Sequence, residues 1–187
     1  MTRENERMSA STGREIILAN IERSGASRAG FTFDGRRLND AMIRGVRPSG
    51  YSQRRWRSGD REYYDDEWGN VWVRMAGRSA KGEIHAPVIR DWSDMDSIRM
   101  PHYDTAGGAE ELRQFFGAQP AGLFKIASVG GWIFDNARYL RKLEVYLMDL
   151  ALHPDELRVL HDKVAGVYER KIHIAGRAGA DAVFLGE

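Results

Sequence analysis

Two periods of apolar residue run through this chain, and the switch between them marks out its parts. Thr12, Gly13, Arg14 and Glu15 have the spacing of a capping box, and Ile17, Leu18 and Ile21 follow on one face, so a short helix is expected over about 13–24. The Phe31-Thr32-Phe33-Asp34 run alternates as a strand would. Aromatic and β-branched runs flank Gly69 and Asn70, the pattern of a β-hairpin over about 63–77, with a third short strand expected near 83–89. Pro87 and Pro101 bracket an extended stretch with one helical turn at 92–97, and a helix at 109–116 follows a flexible 105–108.

From residue 121 onward the pattern is stronger. The run Ala121-Gly122-Leu123-Phe124-Lys125-Ile126-Ala127 reads as a buried strand that leaves through Ser128-Val129-Gly130-Gly131. Leu140, Leu143, Leu147 and Leu150 then recur at helical spacing, which predicts one amphipathic helix over 134–152 with a leucine face toward the core. Pro154 restarts the chain where its missing N–H has no partner, with Asp155 and Glu156 complementing the helix dipole. Leu157, Leu160, Val164, Val167, Ile174 and Ala178 carry that second helix to about 175, and Ala182-Val183-Phe184-Leu185 closes as a strand. Strand, helices and strand in this order predict an α/β fold with a parallel sheet, in which the strands at 123–127 and 182–185 are neighbours.

Composition removes several function classes. The net charge of +1 gives no whole-molecule field for nucleic acid or an anionic membrane. With no cysteine among 187 residues there is neither a disulfide framework nor a thiolate metal site. Residues 1–11 form a polar tail with no apolar core to serve as a secretory signal, and no apolar run approaches the roughly 20 residues of a membrane span. A cytoplasmic protein of a single domain is expected, with no membrane partner.

Candidate chemistry is scattered. Asp34 falls at the end of a strand, where parallel barrels place catalytic groups, and it equally suits a turn with Gly35. Nine arginines crowd 28–61, Arg36 and Arg37 among them, with Tyr51 and Trp56 interleaved. That segment reads as a solvated loop, as a cradle for an anionic small molecule, or least of all as a nucleic-acid surface. Asp65, Asp66 and Glu67 could suggest a hard cation, but adjacent strand residues point to opposite faces, which favours a solvated hairpin rim. The turn at Ser128, Gly130 and Gly131 joins a strand to a helix, so its N–H groups can hold an anion; a plain turn is the alternative. The five histidines show no His-x-x-x-His pair, and no metal site is expected.

The stretch from Gly130 to Glu187 resembles the uroporphyrinogen decarboxylase superfamily, which includes corrinoid-dependent and coenzyme M methyltransferases. Its members show a leucine-arginine-glycine turn into a glutamate-bearing helix, a proline-led acidic helix start, and an Ala-Gly-Ala-Asp entry to the next strand. Leu140, Arg141, Glu144, Pro154, Asp155, Gly179, Ala180 and Asp181 stand in those places here. At Lys142 the chain departs from the family's glycine.

The resemblance implies the amino-terminal portion of a TIM-like (β/α)8 barrel with a β-hairpin excursion. Such barrels run to about 250 residues, so 187 residues read as a fragment that would be inactive alone. It implies methyl transfer involving a corrinoid or thiol, with decarboxylation of a tetrapyrrole or similar polycarboxylate as the alternative; a non-catalytic module binding an anion or RNA is the reading from a different class. A small-molecule substrate is implied, with a corrinoid protein and a homodimer as open partner readings. Zinc and a corrinoid would belong to the full-length enzyme, with no cofactor held by this chain. The arginine-glutamine-alanine-glycine-arginine string of true uroporphyrinogen decarboxylases has no counterpart. Asp34 and Glu187 are the catalytic candidates, Glu187 at a strand end where burial would shift its pKa. Ser128, Gly130, Gly131, Arg36 and Arg37 are the substrate-binding candidates. Arg141 is expected to buttress the neighbouring loop through an ion pair.

Overall fold

The computed structural model describes residues 11–33, 39–78 and 82–186. In chain order it contains α1 (Gly13–Ile21), β1 (Ala41–Gly45), β2 (Arg55–Ser58), β3 (Arg61–Asp65), β4 (Val71–Met75), β5 (Glu83–Ala86), a 3-10 turn (Trp92–Ser97), α2 (Thr105–Gly117), β6 (Phe124–Gly130), α3 (Ile133–Arg141), α4 (Leu143–Leu152), α5 (Pro154–Arg177) and β7 (Ala182–Leu185). The strands form a parallel sheet in the order β1-β6-β7 and an antiparallel sheet in the order β2-β3-β4-β5. The fold is therefore mixed α/β, and among the described residues no barrel closes.

β6 and β7 are parallel neighbours, with Ile126 beside Ala182 and Ser128 beside Phe184. On its other side β6 runs parallel to β1, with Ile43 beside Ile126 and Gly45 beside Ser128. Side chains alternate across such strands, so the sheet has two unlike faces. Met42, Ala127, Val129 and Val183 point into the core, where α2, α3 and α5 cover them with Leu112, Phe116, Leu140, Leu160, Val164 and Ile174. Ile43, Ser128 and Phe184 share the opposite face, which leaves Ile43 and Phe184 each 52% exposed. α1 crosses the amino end of the sheet, where Arg14 N–H donates to Gly122 O at 2.8 Å. A side chain at Gly13 would come within 2.6 Å of the Asp40 backbone, so this approach needs glycine.

Several expectations are corrected. The first parallel strand is β1, not the Phe31 run: the Asp40 carboxylate accepts from Phe31 N–H at 2.8 Å and from Arg28, which ties that run down as a loop. Residues 105–108 are helical, because the Asp104 side chain caps Ala106 N–H at 3.1 Å. β2 extends the expected hairpin into a four-stranded sheet by pairing Trp56 with Tyr63. The single helix over 134–152 is two helices broken at Lys142, and Leu143, Leu147 and Leu150 of the leucine face point to solvent. The burial stripe of α4 runs instead through Tyr146 and Asp149. The capping box at Thr12 and Glu15, and the start of α5 at Pro154, form as expected.

Candidate functional site

The carboxyl edge of the parallel sheet is where chemistry-bearing side chains gather. Three chain segments rise from it: the loop after β1, the Gly130–Gly131 turn after β6, and Gly186 after β7, whose N–H donates to Gly130 O at 3.1 Å. Gly130 sits at φ +83°, a conformation that suits glycine, and so turns the chain sharply into α3. Ser128 lies on the open face, and its carbonyl accepts from Val46 N–H at 2.8 Å. A side chain at Gly131 would crowd Asp135 and Asn136 at 3.3–3.7 Å, which packs this turn against the first residues of α3. Ser128, Gly130 and Gly131 are thus brought together at the expected edge. Asp34, Arg36, Arg37 and Glu187 lie outside the described residues, and with them the convergence expected of Asp34 and Glu187.

Beyond the carboxyl end of β1 a cleft of about 1070 Å³ opens between the loop after β1, the β3–β4 connection and residues 86–102, and Ser128, Gly130 and Gly131 do not line it. The three consecutive carboxylates meet it, and they do not form a solvated rim. Asp65 is buried: it accepts from Tyr51 Oη at 3.1 Å, Arg54 N–H at 2.8 Å and Arg54 Nε at 2.6 Å. Burial works to raise its pKa, but these donors outweigh it and hold the carboxyl below its usual range. Asp66 closes the β3–β4 connection by accepting from Trp68 N–H, Asn70 N–H and Nδ2, and Trp72 Nε1 at 2.7–3.0 Å. Buried Asn70 passes the network on, taking Val88 N–H on its Oδ1 at 3.2 Å. Both aspartates are committed to structure. Glu67 lines the cleft and accepts no backbone or arginine bond of this kind; the donor that faces it is the Tyr103 hydroxyl.

Glu67 stands instead beside a buried cluster. Lys171, on α5, is 4% exposed; its Nζ donates to Val129 O at 2.9 Å and lies 4.9 Å and 4.7 Å from the ring centres of Tyr103 and Tyr168. Burial pulls the ammonium down to about 8, and the Glu67 carboxylate works in the opposite direction. Tyr168 Oη accepts from Asn136 Nδ2, which also donates to Trp132 O at 3.0 Å, linking the cluster to the turn at Gly131. The Tyr103 hydroxyl is buried and faces Glu67 without closing a hydrogen bond; burial first, then that carboxylate, raises its pKa. An unpaired buried hydroxyl costs about 1–3 kcal/mol. Arg90, Arg99 and His102 stand on the cleft's rim.

A scan against models of known protein families finds none that matches the chain, and no curated protein matches it significantly. Its chemistry has to be read from these residues.

Sequence reasoning missed Lys171, Tyr103 and Tyr168. One signal was there: on α5 the apolar stripe passes from Val167 to Ile174, and the position between them that faces the core is Lys171. A lysine in an apolar stripe marks a buried charge. Arg141 does form an ion pair, with Asp149 at 2.7 Å, but it braces residues 89–90 and not the turn after β6. Among the described residues no three histidine, aspartate or glutamate side chains converge on a metal position, and the chain has no cysteine, so these residues do not fit zinc. Nor is any described helix long and apolar enough to cross a membrane.

Proposed function

We propose that this chain is part of an enzyme of the uroporphyrinogen decarboxylase superfamily, of the methyl-transfer type, whose pocket is the cleft beyond the carboxyl end of β1. The adjacency of β6 and β7 through α3, α4 and α5 supports the barrel reading, as does the backbone at Lys142. There the family carries glycine, and Lys142 holds φ +69°, a conformation that glycine adopts without strain.

The observation that carries the reaction type is Glu67. It is the carboxylate of its run that accepts no backbone or arginine hydrogen bond, and it lines the cleft facing the buried Tyr103 hydroxyl. A carboxylate there repels the carboxylates of a porphyrinogen and accepts hydrogen bonds from the neutral carboxamides of a corrinoid. Glu67, on the cleft wall, would accept from such an amide, with the buried Tyr103 hydroxyl behind it. The corrinoid would supply the methyl-carrying centre; the chain's own part is to bind and orient the ring and to exclude water from it. The rim favours a second reading: Arg90 and Arg99 are suited to polycarboxylates, as decarboxylation of a tetrapyrrole would need.

Titration of the purified chain with dicyanocobinamide and with coproporphyrin, followed by quenching of tryptophan fluorescence, separates the two. Saturable binding of the cobinamide that weakens in Glu67→Lys, with coproporphyrin binding less tightly, is expected. Preference for coproporphyrin in the wild type would move the assignment to the decarboxylase reading, and binding of neither would remove the cleft from both.

A further inference from the structure

Part of the arginine-rich stretch and its interleaved aromatics, which the cleft does not absorb, gathers on the solvent face of the antiparallel sheet. Trp56 and Tyr63 are cross-strand partners, so their rings share one face; they stack with centres 5.6 Å apart and planes 8° from parallel, and His85 on β5 meets Tyr63 edge-on at 5.2 Å. The other face is closed by α3, where Tyr139 packs against Trp72 at 4.8 Å. Trp56 is 43% exposed and His85 is exposed, so the aromatic row lies open to solvent. Alternation places Arg61 and Asp65 on the same face as Tyr63, one rung to either side and about 14 Å apart along β3. Asp65 is neutralised there by Arg54, whose side chain remains 80% exposed. The aromatic row is thus bracketed by two guanidiniums, while the exposed acids nearby lie off that line, Asp60 in the β2–β3 turn and Glu83 two strands away on β5.

We propose that this face binds single-stranded nucleic acid, the bases stacking on Trp56 and Tyr63 while the phosphates meet Arg54 and Arg61. The chemistry selects this occupant. Exposed rings call for a planar partner and flanking guanidiniums for an anion, and a single strand supplies both at every step. A duplex keeps its bases stacked on one another, a neutral sugar leaves the arginines unanswered, and an acidic peptide leaves the rings so. With a net charge of +1 the attraction is local to this face, so the binding is short-ranged and sensitive to salt. This surface is independent of the ligand proposed for the cleft.

Fluorescence anisotropy of a short fluorescein-labelled oligouridylate, titrated with the purified chain, tests it. Binding should saturate and, with two phosphate contacts each adding about 0.7 to the salt slope, should weaken about 25-fold for a tenfold rise in salt. Trp56→Ala should weaken it at least about fivefold, and Trp56→Phe should recover most of that loss. Arg61→Ala should lower the salt slope by about 0.7 with an unchanged circular dichroism spectrum. Absence of binding by the wild type, or binding indifferent to both Trp56→Ala and Arg61→Ala, would overturn the proposal. So would equally tight binding of a duplex of the same length, or displacement of the oligonucleotide at equal concentration by inorganic polyphosphate, which has charge without bases, or by neutral cellohexaose.

Discussion

Replacing Arg141 by methionine tests the buried ion pair that fastens residues 89–90 to the helices. The pair is almost sealed, Arg141 and Asp149 being 5% and 3% exposed, and the guanidinium also donates to the carbonyls of Ile89 and Arg90 at 3.2 and 3.1 Å and lies 4.4 Å from the Trp92 ring centre. Removing one partner leaves the other charge buried without compensation, which typically costs about 3–5 kcal/mol. In a domain of this size each kcal/mol lowers Tm by roughly 2–4 °C, so a fall of about 6–20 °C is expected in Arg141→Met. Removing both charges in Arg141→Met/Asp149→Leu should recover most of the loss, since two matched apolar side chains replace the pair; the two bereft carbonyls set the residual deficit, about 1–3 kcal/mol for each that water does not reach. Urea unfolding followed by tryptophan fluorescence, with m held constant, measures all four corners of the cycle. A single variant within about 1 kcal/mol of wild type, or a double variant that loses the sum of the singles, would refute the claim that charge burial governs this contact.

Two further outcomes follow from the structure. Lys142→Gly should stabilise the chain by about 1 kcal/mol, because glycine relieves a strain of about 1–3 kcal/mol and gives back part of it as unfolded-chain entropy; urea midpoints of the two proteins decide it, and a loss of stability would refute it. Lys171 binds its proton less tightly when folded, to about 8 against an ordinary value near 10.4, so the cost of burying its charge is relieved as pH rises from about 8 to about 10 and stability should climb in that window. Above it the buried tyrosines that face it, Tyr103 and Tyr168, stay protonated when folded and turn the curve down again. Lys171→Met should abolish the climb, and a wild-type curve flat between pH 8 and 10 in thermal melts would contradict the burial of a charged lysine.

Much of the fold was legible because its long elements satisfy one rule at a time. The apolar stripe of α5 has the helical period, its start has proline at the first position with acids behind it, and nothing competes, so helix and boundary were both readable. β6 and β7 were readable as short apolar runs bounded by glycine. β1 was not, since Ala41, Met42 and Ile43 make too short a run to stand out beside Phe31-Thr32-Phe33, and the choice between them is made by Asp40, whose contacts with Arg28 and Phe31 span 9–12 residues. The leucine face of α4 misled for a different reason. Periodicity reports that one face is apolar but not that this chain buries it, and here the single buried acid, Asp149, outweighs three leucines because its partner Arg141 is already in the core.

The site was less legible, because its parts come from elements that only the fold brings together. Glu67 is in the β3–β4 connection, Tyr103 precedes α2, Asn136 is on α3, and Tyr168 and Lys171 are on α5, so no spacing in the sequence joins them. Asp65, Asp66 and Glu67 looked alike as three adjacent acids, and their difference is one of hydrogen-bond supply. Asp65 is surrounded by Tyr51 and Arg54, and Asp66 by the N–H groups of its own turn, while Glu67 faces a lysine already engaged with Val129 and a hydroxyl that reaches no partner. A carboxylate left without structural bonds beside a buried cation and an unpaired hydroxyl retains its capacity for a ligand. The role proposed for Glu67 rests on that residual capacity and not on the number of acidic residues.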